Sequence, residues 1–243
     1  MAAADLVYIV SMNTPVVRPL YLLADSQLLF WQSPKGPYLA SVLEANARPK
    51  PNVAYVGASN GDSPEAYSIL RAALEALQIG SVHPVSASFT ASDSDFLQTA
   101  DVVVLAGGDV EAGWNVFTRT GMREVIESRY RDGALLIGVS AGAVQLGTHV
   151  AVTSEEGTAR LIETFGFVSC IVDVHDEKND WHAVAGTIHL LEGAALGVGI
   201  RSGGGLIVYP DGTFEPIRHA VEEFTFSGER LQRALLLPPA AGD

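Results

Sequence analysis

The segment with the clearest chemical content is Gly138-Val139-Ser140-Ala141-Gly142, set between an apolar run, Ala134 to Val139, and a helix-like apolar stretch starting at Ala141. This is G-x-S-x-G at a strand-to-helix junction, where small neighbours let the chain turn tightly and push a serine hydroxyl outward. The Ala141 N–H and the helix N-terminus face the same space, so one turn supplies a nucleophile and half of an oxyanion hole. The plainer use of the same residues is an N-cap serine between packing glycines. A second turn, Gly107-Gly108-Asp109-Val110, ends the preceding apolar run. In a doubly wound sheet neighbouring strands present their C-terminal turns on one edge, so the Gly108 or Asp109 N–H is expected to complete the hole. Neither G-x-G-x-x-G nor G-K-[ST] occurs there, which argues against a phosphate cradle.

A serine nucleophile needs a base, and the chain has six histidines: His83, His149, His175, His182, His189 and His219. His175 ends the apolar run CIVDV and so falls at the functional edge of a sheet, within VDVHDEKND. His83 reads as a mid-strand structural residue, and His182 and His189, seven apart, share one face of a helix. A third group should be a carboxylate that orients the base. Glu155 and Glu156 in TSEEGT are candidates, and Asp173, two residues before His175, is another. The acidic stretch around Asp173, Asp176, Glu177, Asp180 and His182 has none of the H-E-x-x-H or EF-hand spacings, so it reads as a solvated loop and no metal or cofactor is expected. Trp114, Glu156, Lys178, Trp181 and His182 are candidate substrate contacts, the two tryptophans as an apolar wall.

The elements that must position these groups alternate. Leu20 to Leu23, Val53 onward, Ser81 to Ser86, Asp101 to Ala106 and Ala134 to Val139 read as short strands, and Ser63-Pro64 caps a helix beginning EAYSILRAALEALQ. Further helices are expected at Asp93 to Leu97, Glu111 to Phe117, Gly121 to Arg129 and Ala141 to Leu146. Continuous apolar strands between helices are what a mainly parallel sheet covered on both faces requires. Later strands are expected at Phe167 to Val174, Leu196 to Ile200 and Leu231 to Leu237, with Gly205 to Tyr209 paired to Thr213 to Pro216 in a C-terminal β-hairpin. An additional strand is expected at Leu6 to Val10, and with no repeat or linker the 243 residues read as one domain.

Composition narrows the partners. Fifteen basic against 28 acidic residues give a net charge of −13, with no run of Lys or Arg, so nucleic acid and anionic membrane are poor partners. One cysteine, Cys170, excludes an internal disulfide and cysteine-based metal sites, and within FVSCIVDV it reads as a core residue. No signal-like or membrane-spanning stretch is evident, so a cytoplasmic protein is expected, with a homodimer as the common assembly.

Taken together, VAYVGAS, PEAYSILRAALEALQ, DVVVLAGGDV, LLIGVSAGAVQLG and VDVH resemble peptidase family S51, the dipeptidase E and cyanophycinase group. The resemblance implies an α/β fold with a doubly wound, mostly parallel sheet, flavodoxin-like and similar to class I glutamine amidotransferases. It also implies Ser140 as nucleophile, His175 as base, Gly108 or Asp109 with Ala141 as oxyanion donors, and an acid nearest Glu155. The departure lies after His175: family members carry an aromatic residue and an Arg-rich segment there, whereas this chain reads DEKNDWHAVAGTIHL, with Lys178 but no Arg between Arg160 and Arg201. Without a fork of donors an acidic substrate is poorly served, so the implied specificity for aspartyl residues does not carry over. The expectation is therefore a serine exopeptidase or dipeptidase-like amide hydrolase acting on a peptide or small amide. The alternatives are a serine esterase and a catalytically retired binding protein on the same scaffold.

Overall fold

The computed structural model describes residues 16–154, 157–191, 195–227 and 230–240. In chain order these form β1 (Leu20–Leu23), a 3-10 turn (Ser26–Phe30), the two-residue strands β2 (Gln32–Ser33) and β3 (Gly36–Pro37), and α1 (Tyr38–Asn46). There follow β4 (Asn52–Val56), a 3-10 turn (Ala58–Asn60), α2 (Pro64–Leu74), β5 (Ser81–Val85), α3 (Ala91–Thr99) and β6 (Val102–Leu105). Next come α4 (Val110–Thr120), α5 (Met122–Arg131), β7 (Leu135–Val139), α6 (Ala141–Leu146), β8 (His149–Thr153), β9 (Ala159–Glu163) and β10 (Ile171–Val174). The chain ends with a 3-10 turn (Glu177–Asn179), α7 (His182–Leu190), β11 (Leu196–Ile200), β12 (Gly205–Val208), β13 (Phe214–Ile217), β14 (Val221–Ser227) and β15 (Arg230–Leu236).

Seven strands make the main sheet, in the order β13-β12-β1-β7-β6-β4-β5. The block from β1 to β5 is parallel throughout, while β12 runs antiparallel to both β1 and β13. Because side chains alternate along a strand, each strand feeds two cores. Val53 and Tyr55 pack with α1 and α2 on one face, whereas Ala54 and Val56 pack with α4, α5 and α6 on the other. From β4 the chain passes through α2 to β5, then returns across β4 through α3 to β6, so the direction of winding reverses between β4 and β6. That reversal opens a crevice at the carboxyl ends of these two strands, the usual ligand position in an open α/β sheet. The α/β, mostly parallel architecture and the β12–β13 hairpin agree with the sequence reading; the expected strand at Leu6 to Val10 lies outside the described residues.

A second sheet, β10-β11-β14-β15, is where the sequence reading fell short. Only Ile171–Val174 of the expected Phe167 to Val174 strand is extended, and β14 and the β8–β9 hairpin were not anticipated. In β14, Val221 and Phe224 are buried while Glu222 and Glu223 are not. Charges at the centre of the segment mask its apolar periodicity. The small core between α7 and this sheet is built on Trp181, Ile171, Val184, Ile188 and Phe224.

Candidate active site

Ser140 stands at the end of β7 with φ 51° and ψ −114°, a backbone state that a non-glycine residue holds only when its surroundings force it. They do: its N–H donates to the Leu23 carbonyl at 2.9 Å, and its carbonyl accepts from Ala143 and Val144 at 2.8 and 3.1 Å. Gly142 makes the turn sterically feasible, since a Cβ there would collide with the Leu105 backbone of the neighbouring strand. The result aims the hydroxyl away from the sheet edge, with Oγ 2.9 Å from His175 Nε2.

His175 arrives from the second sheet. Its N–H donates to the Ile200 carbonyl at 2.9 Å, extending the β10–β11 ladder by one residue, and its φ of 46° then swings the imidazole back over β7. The upstream turn is equally constrained. Gly108 has φ +138°, and a Cβ on it would strike the Ser59 carbonyl, so only glycine fits. Asn60 donates to the Gly107 carbonyl at 3.1 Å, and the fully buried Gln145 of α6 donates to Ser59 Oγ at 3.1 Å and to the Val110 carbonyl at 3.0 Å. The two glycine turns are thereby tied to each other by side chains from β4's exit and from α6. Neither Asn60 nor Gln145 stands out in sequence, because nothing local marks a long-range polar tie.

The sequence offered Gly108 or Asp109 as a backbone donor, and the structure separates them. The Asp109 N–H is committed to the Ser59 carbonyl at 2.7 Å, and its carboxylate caps α4 through the Ala112 N–H at 2.8 Å. Gly108, Ala141, Ser140 and His175 line one cavity of about 230 Å³ together with Asp173.

Asp173 does not reach toward the imidazole with a free oxygen. Its carboxylate accepts from the Val174 N–H at 2.9 Å and from the Val184 N–H, in the first turn of α7, at 3.2 Å. Burial and the nearby Asp176 push its pKa up to about 6 against the pull of those amides. Glu177, which the sequence reading placed only in the acidic loop, is different. One oxygen accepts from the Ser202 N–H at 3.4 Å, and the other is buried without a hydrogen-bond partner among the described residues. Burial opposes ionisation of Glu177, but backbone amides and the neighbouring His175 outweigh it and hold its pKa below the ordinary carboxylate value.

The remaining candidates are not brought to Ser140. Trp114 is 6% exposed and packs edge-on against Phe117 and Phe165; Trp181 is 1% exposed, against Gly199 and Phe224. Both are core residues and not walls of the site. His182 borders shallow cavities with Asn179 on the outer side of α7, and Lys178 is exposed and lines none of the cavities around Ser140. Glu155 and Glu156 lie outside the described residues. The other carboxylates of the acidic loop are engaged elsewhere: Asp176 accepts from Asn179 and Ala183, and Asp180 pairs with Arg233 of β15. Among the described residues no three metal-ligating side chains converge.

The sequence profile of peptidase family S51 matches residues 32–217, which include both glycine turns, Ser140, His175 and Glu177. The chain belongs to peptidase family S51. No curated protein matches it. Among solved structures, this S51 protein is similar to a peptidase from an acI-B1 Actinobacterium, with a TM-score of 0.64 and 18% identity over 91% of this chain and 95% of the other. It is also similar to a candidate peptidase E from Listeria monocytogenes EGD-e, with a TM-score of 0.59 and 17% identity over 91% and 100% of the two chains. At such identities the likeness concerns the fold, and the family match carries the activity: a hydrolase of peptide or amide bonds. No helix among the described residues is long and apolar enough to cross a membrane.

Proposed function

We propose that this S51 protein is a serine exopeptidase, of dipeptidase type, that works through an acyl-enzyme on Ser140. The observation that carries the proposal is the 2.9 Å contact between Ser140 Oγ and His175 Nε2 at a strained elbow. A hydroxyl held against an imidazole nitrogen can pass its proton as it attacks, which is the geometric requirement for an activated serine. A retired scaffold has no need to keep that contact.

In the proposed sequence Ser140 Oγ attacks the scissile carbonyl while His175 Nε2 takes its proton. The Gly108 and Ala141 N–H groups hold the tetrahedral oxyanion, strengthened by the positive end of α6. His175 then protonates the leaving amine, and water, deprotonated by the same imidazole, releases the acid. The charge that develops on His175 is balanced by the two carboxylates coupled to it, Asp173 and Glu177, of which Glu177 keeps one buried oxygen without a partner among the described residues. Two cavities of about 280 and 230 Å³ flank Ser140, dimensions that suit one residue on each side of the scissile bond rather than an extended peptide.

The test is intact-mass analysis after exposure to a fluorophosphonate. Wild type is expected to gain a single adduct, and Ser140→Ala none. Folded wild-type protein that stays unlabelled and hydrolyses neither dipeptides nor esters would overturn the assignment.

A further inference from the structure

Ser140 borders a second cavity, distinct from the one that His175 lines. It occupies the crevice where the winding of the sheet reverses, between the exits of β4 and β6, and measures about 280 Å³. Its floor and sides are Val104, Ala106 and Val139 from the sheet, Leu29 from the first 3-10 turn, and Leu70 from α2, with Ile69 at the rim. Ile69 is 42% exposed, an apolar side chain left half in water at the mouth of an apolar hole.

The charge lining is one-sided. Among the described residues that line the cavity, Asp25 is the single side chain with a charge at neutral pH, and no Lys or Arg contributes. Apart from the Ser26 hydroxyl, the polar side chains contributed by Asp25, Asn60 and Ser63 are spent within the protein. Asp25 accepts from Gln27 and from the Gly203 N–H at 2.8 Å, Asn60 is shared among Tyr55, Gly107 and Ser63, and Ser63 Oγ caps α2. A carboxylate entering here would lose water, gain no cation and meet Asp25, a cost that an apolar side chain avoids. Position supplies the rest of the argument. His175 must protonate the leaving amine, so the leaving group belongs in the cavity that His175 lines. The acyl side chain is left with the cavity on the other side of Ser140, which His175 does not border.

We infer that this crevice binds the side chain of the residue donating the scissile carbonyl, and that it selects a neutral apolar side chain of leucine, methionine or phenylalanine size over an acidic one. The inference rests on Ser140 as acyl acceptor, so binding and turnover must be measured separately. Calorimetric titration of Leu-Ala, Phe-Ala and Asp-Ala into Ser140→Ala reads the pocket without chemistry, and kcat/KM on wild type reads the reaction. Leu-Ala and Phe-Ala are expected to exceed Asp-Ala by about tenfold or more in both, the scale of discrimination an apolar pocket provides. Ala66→Phe, which fills the cavity from α2, should abolish that preference, and Ile69→Arg at the exposed rim should raise Asp-Ala toward Leu-Ala. Thermal melts confirm that each variant is folded, and Ile69→Arg remains informative if Ala66→Phe is not.

Asp-Ala bound as well as Leu-Ala, no binding of any dipeptide to Ser140→Ala, or a preference untouched by both cavity variants would overturn the assignment. Dipeptides that bind Ser140→Ala in the expected order but are not turned over by wild type would support the pocket while sinking the hydrolase reading.

Discussion

Among the described residues two clusters combine a histidine, a carboxylate and a hydroxyl, and they are built to opposite ends. At the outer edge of the main sheet, His83 of β5 meets Asp93 of α3 at 3.1 Å and stacks on Phe96. Asp93 is 5% exposed and collects Ser86 Oγ, Thr90 Oγ1 and the Thr90 N–H, all within 2.9 Å. Both hydroxyls donate to the carboxylate, so neither is left to face the imidazole. At the carboxyl edge the hydroxyl of Ser140 faces the imidazole instead, two backbones sit at positive φ, and one carboxylate oxygen of Glu177 is buried without a partner among the described residues. The residue types are nearly the same; what differs is where the donors are spent. A cluster whose hydrogen bonds close on the carboxylate stabilises a helix start, whereas one that leaves its hydroxyl to the base, on a strained turn, can react.

The contrast breaks most sharply at the histidines. His175→Gln is expected to lower kcat/KM by about 10⁴-fold or more, as removal of the base does in serine hydrolases. His83→Gln should leave kcat/KM within about twofold and shift only the unfolding midpoint, since it is a conservative change remote from the reacting atoms. Comparable losses of activity in the two folded variants would erase the distinction.

The carboxylates next to His175 sharpen it further. If Glu177 balances the imidazolium, Glu177→Gln should lower kcat/KM by about tenfold to a hundredfold, through kcat rather than KM, because the lost anion stabilises charge that develops only in the transition state. Asp173→Asn should act on stability as well. With a folded pKa of about 6 against 3.8 unfolded, Asp173 binds its proton more tightly in the native state, so its contribution falls as pH rises from about 4 to 6. The full cost above pH 6 approaches ~3 kcal/mol, and asparagine returns about 1 of it by serving one amide fewer. Denaturant melts should therefore find Asp173→Asn more stable than wild type by about 2 kcal/mol at pH 8, and no more stable at pH 4. A stability difference independent of pH would rule this account out.

These assignments mark where sequence is informative. Ser140 and the Gly107-Gly108 turn are legible because small residues between a branched strand and a helix are a local signature, and His175 because it ends a strand. Glu177 is not legible: what sets it apart, a buried oxygen and a bond from the Ser202 amide of a distant loop, arises only in the fold. The tryptophans mislead for a related reason. Trp114 and Trp181 have the composition of a binding wall, but whether an aromatic ring faces a cavity or the core is decided by the helices packed around it, here through Phe165 and Gly199. The Asp109 N–H is committed to a carbonyl some fifty residues away, which no local pattern foretells. Local steric requirements can be read from a chain in order, whereas the ledger of long-range donors and acceptors cannot.

The smallest effect tests the inert cluster on its own terms. Burial raises the cost of ionising Asp93, yet the hydrogen bonds from Thr90 and Ser86, with His83, outweigh it and hold its pKa at about 2, below the unfolded value of 3.8. A group depressed in the folded state contributes stability above its unfolded pKa and loses it as pH falls through the folded one, so the window here runs from about pH 4 down to 2. Asp93→Asn removes the charge but keeps the shape, and should cost about 1–2 kcal/mol at pH 7, partly through the broken capping box of α3. The same substitution should cost less at pH 2.5, where wild type has begun to protonate. Its effect on kcat/KM should be negligible, since the cluster lies beyond β4 and β6 from Ser140. Chemical denaturation of both proteins at the two pH values measures the difference, and a penalty that grows on acidification would mean that Asp93 is held in its neutral form and that the two carboxylate clusters are alike after all.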